Sequence, residues 1–271
     1  MTTTHSLTAR RLSLSYGDRQ VLSGVDVDIL PGAVTAVIGG NGCGKSTLLR
    51  ALTRLLRPTT GQVLLDALPL TDLPARQVAR TLGLLPQSPT APDGITVADL
   101  VGRGRTPHQG IFGQWSTHDH EIVARALSAT GIADLAERSI DELSGGQRQR
   151  VWIAMALAQD TDILLLDEPT TFLDLPHQLE ILDLLRDLNT ARGTTIVMVL
   201  HDLNLAARYC DRLIALRDGR VAVAGTPDQV VTPAIIREVF DLESHVMPDP
   251  VSGAPMVMPI GRHRVLHRTE S

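Results

Sequence analysis

The sequence predicts an α/β fold in which helices cover both faces of a mostly parallel sheet. Two strand patterns, at residues 163–167 and 194–200, are each followed by a helical pattern, at 178–188 and 203–209. Both strands are short apolar runs, which are typical of parallel strands buried on both faces. Strands that alternate with helices in this way indicate a parallel sheet with crossover helices.

The residues before this alternation are predicted to begin with strands and to continue into the sheet. Apolar residues at 25–29 alternate with acidic ones, which is the period of a half-buried strand. An apolar strand follows at 33–38, and after a glycine-rich segment a helix carries a leucine face at 48–56. Pro58 is expected to end that helix.

The segment from about 89 to 160 is predicted to be a helical subdomain inserted into the α/β core. Pro, Gly and His dominate it as far as His120, and helical patterns follow at 122–130 and 144–158. Farther along, an Asp-Gly pair at 218–219 between two apolar runs indicates a hairpin. We place the main domain at 7–245 and a C-terminal tail at 246–271.

Composition indicates a globular protein that would reach a membrane only through a partner. Apolar residues make up 43% of the chain, but no run approaches the roughly 18 apolar residues of a membrane helix. The first residues lack the features of a secretory signal. A net charge of −5 argues against broad nucleic-acid binding. Two cysteines, Cys43 and Cys210, fit neither a disulfide framework nor a zinc pattern, so a reducing compartment is expected.

A phosphate-binding loop is predicted between the strand at 33–38 and the next helix. It follows the pattern of a glycine, four residues, Gly-Lys and Ser, and consists of Gly39, Gly40, Asn41, Gly42, Cys43, Gly44, Lys45 and Ser46. Glycines let backbone N–H groups converge on phosphates, and the following helix points its positive end at the same anion. Lys45 is expected to reach the β- and γ-phosphates of ATP, Ser46 to ligate Mg²⁺, and Thr47 to contact the nucleotide.

The single lysine of the chain lies in this loop. Of the 25 basic residues 24 are arginines, and a compact ammonium cannot be exchanged for a guanidinium in a tight phosphate cradle. The alternative is an ordinary glycine-rich turn, which the flanking strand and helix disfavour. Cys43 is interpreted as a small residue that fills the loop rather than as a redox switch.

Two carboxylates end the strand at 163–167. A buried strand would deliver Asp167 to the carboxyl edge of the sheet, where ligands of α/β proteins bind. Asp167 is expected to hold the Mg²⁺ shell, and Glu168 is the candidate general base for an attacking water. The alternative, a strand that ends in a polar turn, is common, so this motif gains its weight from the loop that precedes it.

The segment Leu143-Ser144-Gly145-Gly146-Gln147 resembles the signature sequence of ABC transporters. Ser144 would cap a helix whose first glycines expose N–H groups, which makes a second anion-binding nest. The resemblance implies a P-loop NTPase with a RecA-like core, an N-terminal antiparallel β-subdomain and the inserted helical subdomain. It also implies a head-to-tail homodimer that binds each ATP between one subunit's loop and its partner's signature, Ser144, Gly145, Gly146 and Gln147.

Four further residues match functional positions of this family. The resemblance implies that Tyr16 stacks on adenine and that Gln87 senses Mg²⁺ and water. Asp174 would cross the dimer interface, and His201 would contact the γ-phosphate. Taken singly, Tyr16 is as well explained by a core role, and His201 is better explained as a surface or core residue; the ordered combination favours function for both.

Within the family, the chain resembles the ATPases of ferric-siderophore importers of the ferric-enterobactin type. The segments that carry this resemblance are 102–109, 144–150, 200–204 and 249–255. It implies permease subunits in the membrane, an indirect extracytoplasmic binding protein, and a place at the cytoplasmic face. Heme and cobalamin importer ATPases share most of these features and remain alternatives.

Two alternatives outside transport are open at this stage. ABC ATPases of translation carry two cassettes and those of DNA repair carry long coiled coils, whereas this chain has one cassette and no heptad run. A non-hydrolysing ATP-binding regulator would be expected to have lost Glu168, His201 or the signature, and all are present.

Overall fold

The structure, a computed structural model, describes residues 5–109, 115–261 and 263. Its strands are β1 (Leu7–Tyr16), β2 (Arg19–Ile29), β3 (Val34–Gly39), β4 (Thr60–Leu65), β5 (Leu68–Pro69), β6 (Leu82–Leu85), β7 (Ile163–Asp167), β8 (Thr195–Val199), β9 (Arg212–Arg217), β10 (Arg220–Gly225), β11 (Ser244–Pro248) and β12 (Pro255–Pro259). Its α-helices are α1 (Lys45–Leu52), α2 (Ala75–Thr81), α3 (Val97–Gly102), α4 (Thr117–Ala129), α5 (Gly145–Ala158), α6 (Leu175–Arg192), α7 (Leu203–Tyr209), α8 (Pro227–Val230) and α9 (Pro233–Phe240).

A six-stranded sheet in the order β10-β9-β3-β8-β7-β6 forms the centre of the molecule. Its strands are parallel except for β10, which returns from β9 as a hairpin. Every residue of β3, β7 and β8 is buried, as expected for parallel strands covered on both faces. The predicted α/β fold is thereby confirmed.

An antiparallel sheet in the order β2-β1-β4-β5 packs over the first helix and one face of the central sheet. β1 and β2 alternate buried and exposed side chains along most of their length. The buried side chains share one apolar core with α1, which includes Leu7, Leu22, Leu48 and Ile163. This sheet corresponds to the predicted N-terminal antiparallel subdomain.

Helices α3, α4 and α5 lie between β6 and β7 in the chain and form the predicted helical insertion. They pack on one another around Val97, Ile122 and Ile153, in an apolar core that continues into the other face of the central sheet. The bounds that we predict for this subdomain, 89–160, stay a prediction. None of the helices in the described ranges is long and apolar enough to cross a bilayer.

The bounds of several helices differ from the sequence prediction; α6, predicted at 178–188, runs from 175 to 192 because Asp174 caps it three residues earlier. α1 ends at Leu52 rather than near Pro58, because Arg54 takes a positive φ of 64° and the N–H groups of Leu55 and Leu56 both bond the Arg50 carbonyl. α4 begins five residues before the predicted start, because Ser116 and Asp119 form a capping box ahead of its apolar residues.

The last described segment is a hairpin of β11 and β12, where the sequence indicated only a tail. Val257 of β12 is buried in the main core, and β12 packs on α7. The boundary predicted at 246 falls inside β11 and stays a prediction. Proline ends β11 and stands at both ends of β12, and because proline is uncommon in paired strands the sequence did not indicate a hairpin.

Candidate nucleotide-binding site

The loop from Gly39 to Gly44 connects β3 to α1 and has no room for side chains at two glycines. Gly39 has φ 146°, and a Cβ there would lie 2.3 Å from the Leu216 carbonyl oxygen. Gly44 has φ 107°, and a Cβ there would lie 2.6 Å from Leu22 Cδ2. These positions therefore demand glycine on both conformational and steric grounds.

Lys45 folds back over this loop. Its Nζ donates to the carbonyl oxygens of Gly39 (2.8 Å) and Gly40 (3.0 Å), and the residue is 6% exposed. An ammonium carries three donors, so these bonds hold it in place and use two of them. The arrangement presents a positive charge beside the loop.

The first turn of α1 adds to this attraction for anions. Its N-cap is Gly44, which has no side chain to bond the first N–H groups of the helix, and the first turn carries no acidic residue. The N-terminus of a helix carries a partial positive charge and free N–H donors. Loop, ammonium and helix end thus form a cradle suited to phosphates.

Ser46 and Asp167 meet across the site although they lie 121 residues apart. The Ser46 Oγ donates to Asp167 Oδ1 at 2.9 Å, whereas Asp167 Oδ2 is buried without a hydrogen-bond partner. Burial raises the pKa of Asp167, and the hydrogen bond from Ser46 opposes that rise. A hydroxyl and a carboxylate with an unused buried oxygen are the oxygen donors that Mg²⁺ prefers.

Glu168 lies at the end of β7 in a left-handed backbone conformation, with φ 57°. Its Oε1 accepts from Gln87 Nε2 (2.8 Å) and lies 2.7 Å from His201 Nε2. The Thr171 hydroxyl donates to Oε2 at 3.1 Å. Burial alone would raise the pKa of Glu168, but the bond and charge of His201 and the two other hydrogen bonds outweigh it. The pKa therefore lies below its usual value, and the group is ionised at neutral pH.

A cavity of about 520 Å³ lies between the phosphate loop, Lys45 and Glu168. Its lining includes the predicted residues Tyr16, Asn41, Gly42, Gly44, Lys45, Ser46, Thr47, Gln87, Glu168 and His201. Tyr16 ends β1, lines the cavity and is 46% exposed, so part of the residue is accessible to a ligand. The structure thus brings most of the predicted site residues to a single cleft at the carboxyl edge of the sheet.

The signature residues are not in the described lining of this cavity. Ser144 caps α5 and forms a capping box with Gln147, whose Oε1 accepts from the Ser144 N–H at 3.0 Å. Ser144 and Gly145 are exposed, and no atom lies within 4 Å of a Cβ built on Gly145. Asp174 caps α6 with its side chain turned to His177 and is likewise exposed.

Three residues that sequence reasoning passed over contribute to the site. Arg19 lines the cavity beside Tyr16, Thr171 bonds Glu168, and Gln149 on α5 donates to the Pro169 carbonyl at 2.9 Å. Arg19 could have been suspected from its place just after Tyr16. The contacts of Thr171 and Gln149 depend on the fold, and no local sequence pattern predicts them.

Comparison with known proteins places the chain in a family. The ABC transporter model matches residues 22–171. The petrobactin import ATP-binding protein FpuD of Bacillus anthracis is 52% identical over 96% of this chain and 95% of its own length. The ferric enterobactin transport ATP-binding protein FepC of Escherichia coli (strain K12) is 51% identical over 94% of both chains.

A solved structure agrees with the fold as well. A dimeric ATP-binding cassette in a post-hydrolysis state, bound to ADP and Pi, superposes with a TM-score of 0.71 at 31% identity, over 81% of this chain and 98% of that one. The predicted fold and the predicted resemblance to siderophore-importer ATPases are confirmed. The chain belongs to the ABC transporter family, as an ATP-hydrolysing, ATP-binding subunit.

Proposed function

We propose that this chain hydrolyses ATP with the residues of the Lys45 cavity and so energises the import of a ferric siderophore through permease subunits in the membrane. The observation that carries the hydrolytic part is the convergence of the phosphate cradle, Asp167 and Glu168 on one cleft. The cradle follows β3, whereas Asp167 and Glu168 stand next to each other at the end of β7.

The cradle binds the triphosphate. The N–H groups of the loop and of the first turn of α1 surround the phosphates, and Lys45 adds its charge to the β- and γ-phosphates. Ser46 and Asp167 would hold Mg²⁺, with Gln87 at its edge; Asp167 Oδ2, buried and without a partner, supports this assignment. When bound, Mg²⁺ neutralises charge that develops on the phosphate oxygens.

Glu168 acts as the general base in this proposal. Its carboxylate is ionised and lies between Gln87 and His201, which orient it toward the cradle. A carboxylate in this position can align a water and accept its proton as the water attacks the γ-phosphate. His201 and Gln87 stay near the developing charge and stabilise it.

A head-to-tail homodimer completes the site. Ser144 and Gly145 stand exposed at the N-terminus of α5, so the chain carries a second candidate phosphate nest that its own cavity does not use. A second copy in antiparallel orientation would bring this nest to the γ-phosphate, and the dimeric cassette bound to ADP and Pi supports such an assembly. Asp174, exposed beside it, would lie at the same interface.

The test of the site uses Glu168→Gln, which keeps the shape of the side chain but removes the base. With ATP this variant should lose turnover by roughly 10²–10⁴-fold, the usual contribution of a general base. It should also migrate as a dimer in gel filtration, because the closed pair is no longer released by hydrolysis.

The matched control is Glu168→Gln combined with Ser144→Arg, which fills the second nest and should return the protein to a monomer with ATP still bound. Full activity of the Glu168→Gln enzyme would refute the role of Glu168 as general base. A dimer that is indifferent to Ser144→Arg would refute the head-to-tail arrangement.

The proposed cargo is a ferric siderophore, because two relatives at 51–52% identity are named for the import of petrobactin and ferric enterobactin. The subunit would then lie at the cytoplasmic face of the membrane, with an extracytoplasmic binding protein delivering the cargo to the permease. Co-purification of the permease and its binding protein, followed by titration of that binding protein with ferric siderophores, heme and cobalamin, tests this. Selective binding of heme or cobalamin would replace the siderophore assignment.

A further inference from the structure

His201 lies on the connection between β8 and α7, and its side chain is too exposed to fix that connection by packing. The side chain is 48% exposed, and its Nε2 lies 2.7 Å from Glu168 Oε1. A half-exposed side chain is not fixed by packing, so its position must come from the backbone on which it stands. That backbone runs from the end of β8, which Leu200 anchors in the core, to the start of α7 at Leu203.

The start of α7 is therefore part of the geometry of the site. α7 has seven residues, and a helix of this length is marginal without tertiary support. Asp202 caps it from within, since Asp202 Oδ1 accepts from the N–H groups of Asn204 (2.8 Å) and Leu205 (2.9 Å). Leu205 and Ala206 hold one face of the helix in the main core, and Asn204, on the exposed face of the first turn, needs a further contact to fix how that turn lies.

The C-terminal hairpin provides that contact through one side chain. Asn204 Nδ2 donates to the Val257 carbonyl oxygen (3.2 Å), and Asn204 Oδ1 accepts from the Val257 N–H (2.7 Å). A carboxamide carries the same donor and acceptor pair as a peptide group, so Asn204 extends the ladder of β12 in the way a neighbouring strand would. The two bonds form a ring that is sensitive to both distance and angle.

The partner of Asn204 is itself firmly held. Val257 is 5% exposed and belongs to the main core, and its opposite residue Val246 packs against the same core from β11. The hairpin turn is closed by Asp249, whose N–H donates to the Ala254 carbonyl and whose carboxylate accepts from the Ser252 hydroxyl. The hairpin is thus a fixed support rather than a loose tail.

We propose that Asn204 is a positioning residue for hydrolysis, which holds the first turn of α7 against β12 and thereby sets His201 beside Glu168. The inference rests on the role proposed for His201 above. It gives the hairpin of residues 244–259 a function in turnover, acting through Asn204 without touching the nucleotide.

The test measures ATP turnover and ATP binding separately on the full chain. Asn204→Ala should lower kcat roughly tenfold, because a displacement of about 1 Å at a reacting group can cost up to 10²-fold. The Kd for ATP should change less than about twofold, because Tyr16 and the loop around Lys45 lie on other elements. Asn204→Asp, which keeps the size and one acceptor but loses the donor to Val257, should fall between wild type and Asn204→Ala. If Asn204→Ala does not fold, the kcat of Asn204→Asp alone tests the proposal.

A double-mutant cycle separates positioning from general destabilisation. In a His201→Ala background, Asn204→Ala should cause no further loss of kcat, measured as single-turnover release of γ-phosphate. Ser252→Ala is the matched control: it weakens the same hairpin at its tip without touching α7, and its kcat should equal that of wild type.

Two results would overturn the inference alone while the wild-type enzyme is active: an unchanged kcat in Asn204→Ala, or an equal loss with and without His201. A fully active His201→Ala variant would overturn the role of His201 proposed above, and this inference with it.

Discussion

Replacing Asp119 by Asn should cost about 3–5 kcal/mol of unfolding free energy, because it leaves a buried guanidinium without its counter-charge. Arg105 and Asp119 form an ion pair of 2.8 Å inside the helical part, and their side chains are only 3% and 8% exposed. Arg105 also donates to the Ala158 carbonyl at the end of α5 (2.9 Å). The pair therefore joins three segments, namely the turn after α3, the start of α4 and the end of α5.

The magnitude follows from what remains after the change. Asp119 Oδ2 accepts from the N–H and the hydroxyl of Ser116, so the substitution also disturbs the capping box of α4. Loss of a cap costs about 0.5–2 kcal/mol, and the unpaired charge accounts for the larger part. Removing both charges, as in Arg105→Met with Asp119→Leu, should cost less than either single change, because no buried charge is then left alone.

The assay is urea denaturation at pH 7, with Asp28→Asn as the matched control. Asp28 pairs with Arg10 at 2.5 Å on the surface, where the side chains are 66% and 41% exposed, and such pairs contribute about 0–1 kcal/mol. The effect of the same Asp-to-Asn change is thus measured at a buried and at an exposed ion pair of one protein. A loss for Asp119→Asn within about 1 kcal/mol of that for Asp28→Asn would refute the reasoning.

Acid gives an independent check of the same pair. Burial alone would raise the pKa of Asp119, but the bonds from Arg105 and Ser116 outweigh it and hold that pKa far below its usual range. A lowered folded pKa means that this stabilisation is complete above the unfolded pKa, near 4, and declines as the pH falls below it. The gap between wild type and Asp119→Asn should therefore shrink by about 1.4 kcal/mol per pH unit below about pH 4. A gap that stays constant to pH 3 would contradict this account.

The remaining predictions concern the nucleotide site. Lys45→Ala should weaken ATP binding by roughly 100-fold, the upper loss expected for the one charge-assisted hydrogen bond that the loop carbonyls leave free, and Lys45→Arg should not restore it; titration with a fluorescent ATP analogue measures both. Asp167→Asn should raise the Mg²⁺ concentration for half-maximal turnover by roughly tenfold or more, because the neutral amide is a weaker ligand for a hard cation. Gly39→Ala should abolish ATP binding, since its Cβ would meet the Leu216 carbonyl, whereas Gly17→Ala meets no atom within 4 Å and should retain it.

Features that depend on neighbouring residues were predictable from the sequence. The phosphate loop between β3 and α1, the acidic end of β7 and the capped start of α5 all have local patterns, and the structure places each on the expected element. A strand's period or a helix cap needs only a few adjacent residues to be recognised. The roles assigned to these residues remain predictions that the experiments above test.

Contacts between distant residues were not predictable. Arg105 belongs to a segment that resembles the family, but nothing in that segment indicates that it pairs with Asp119 in the core. Asn204 and Val257 are 53 residues apart, and a tail rich in proline gave no sign of a hairpin. Side-chain pairs of this kind depend on the register of whole elements, which single-sequence patterns do not specify.

The topology of the central sheet, rather than spacing along the chain, brings the residues of the candidate site together. Gly39, Asp167 and His201 are far apart in the chain, but each stands at or just past the carboxyl end of a strand. The parallel pairs Val37↔Val199 and Val199↔Asp167 bring those ends level at one edge. Gln87 joins them because Leu85↔Leu166 sets β6 in the same register. Ser144 lies at the start of a helix outside the sheet and does not join this edge by register, so the phosphate nest proposed there would need a second copy of the chain to become part of a site.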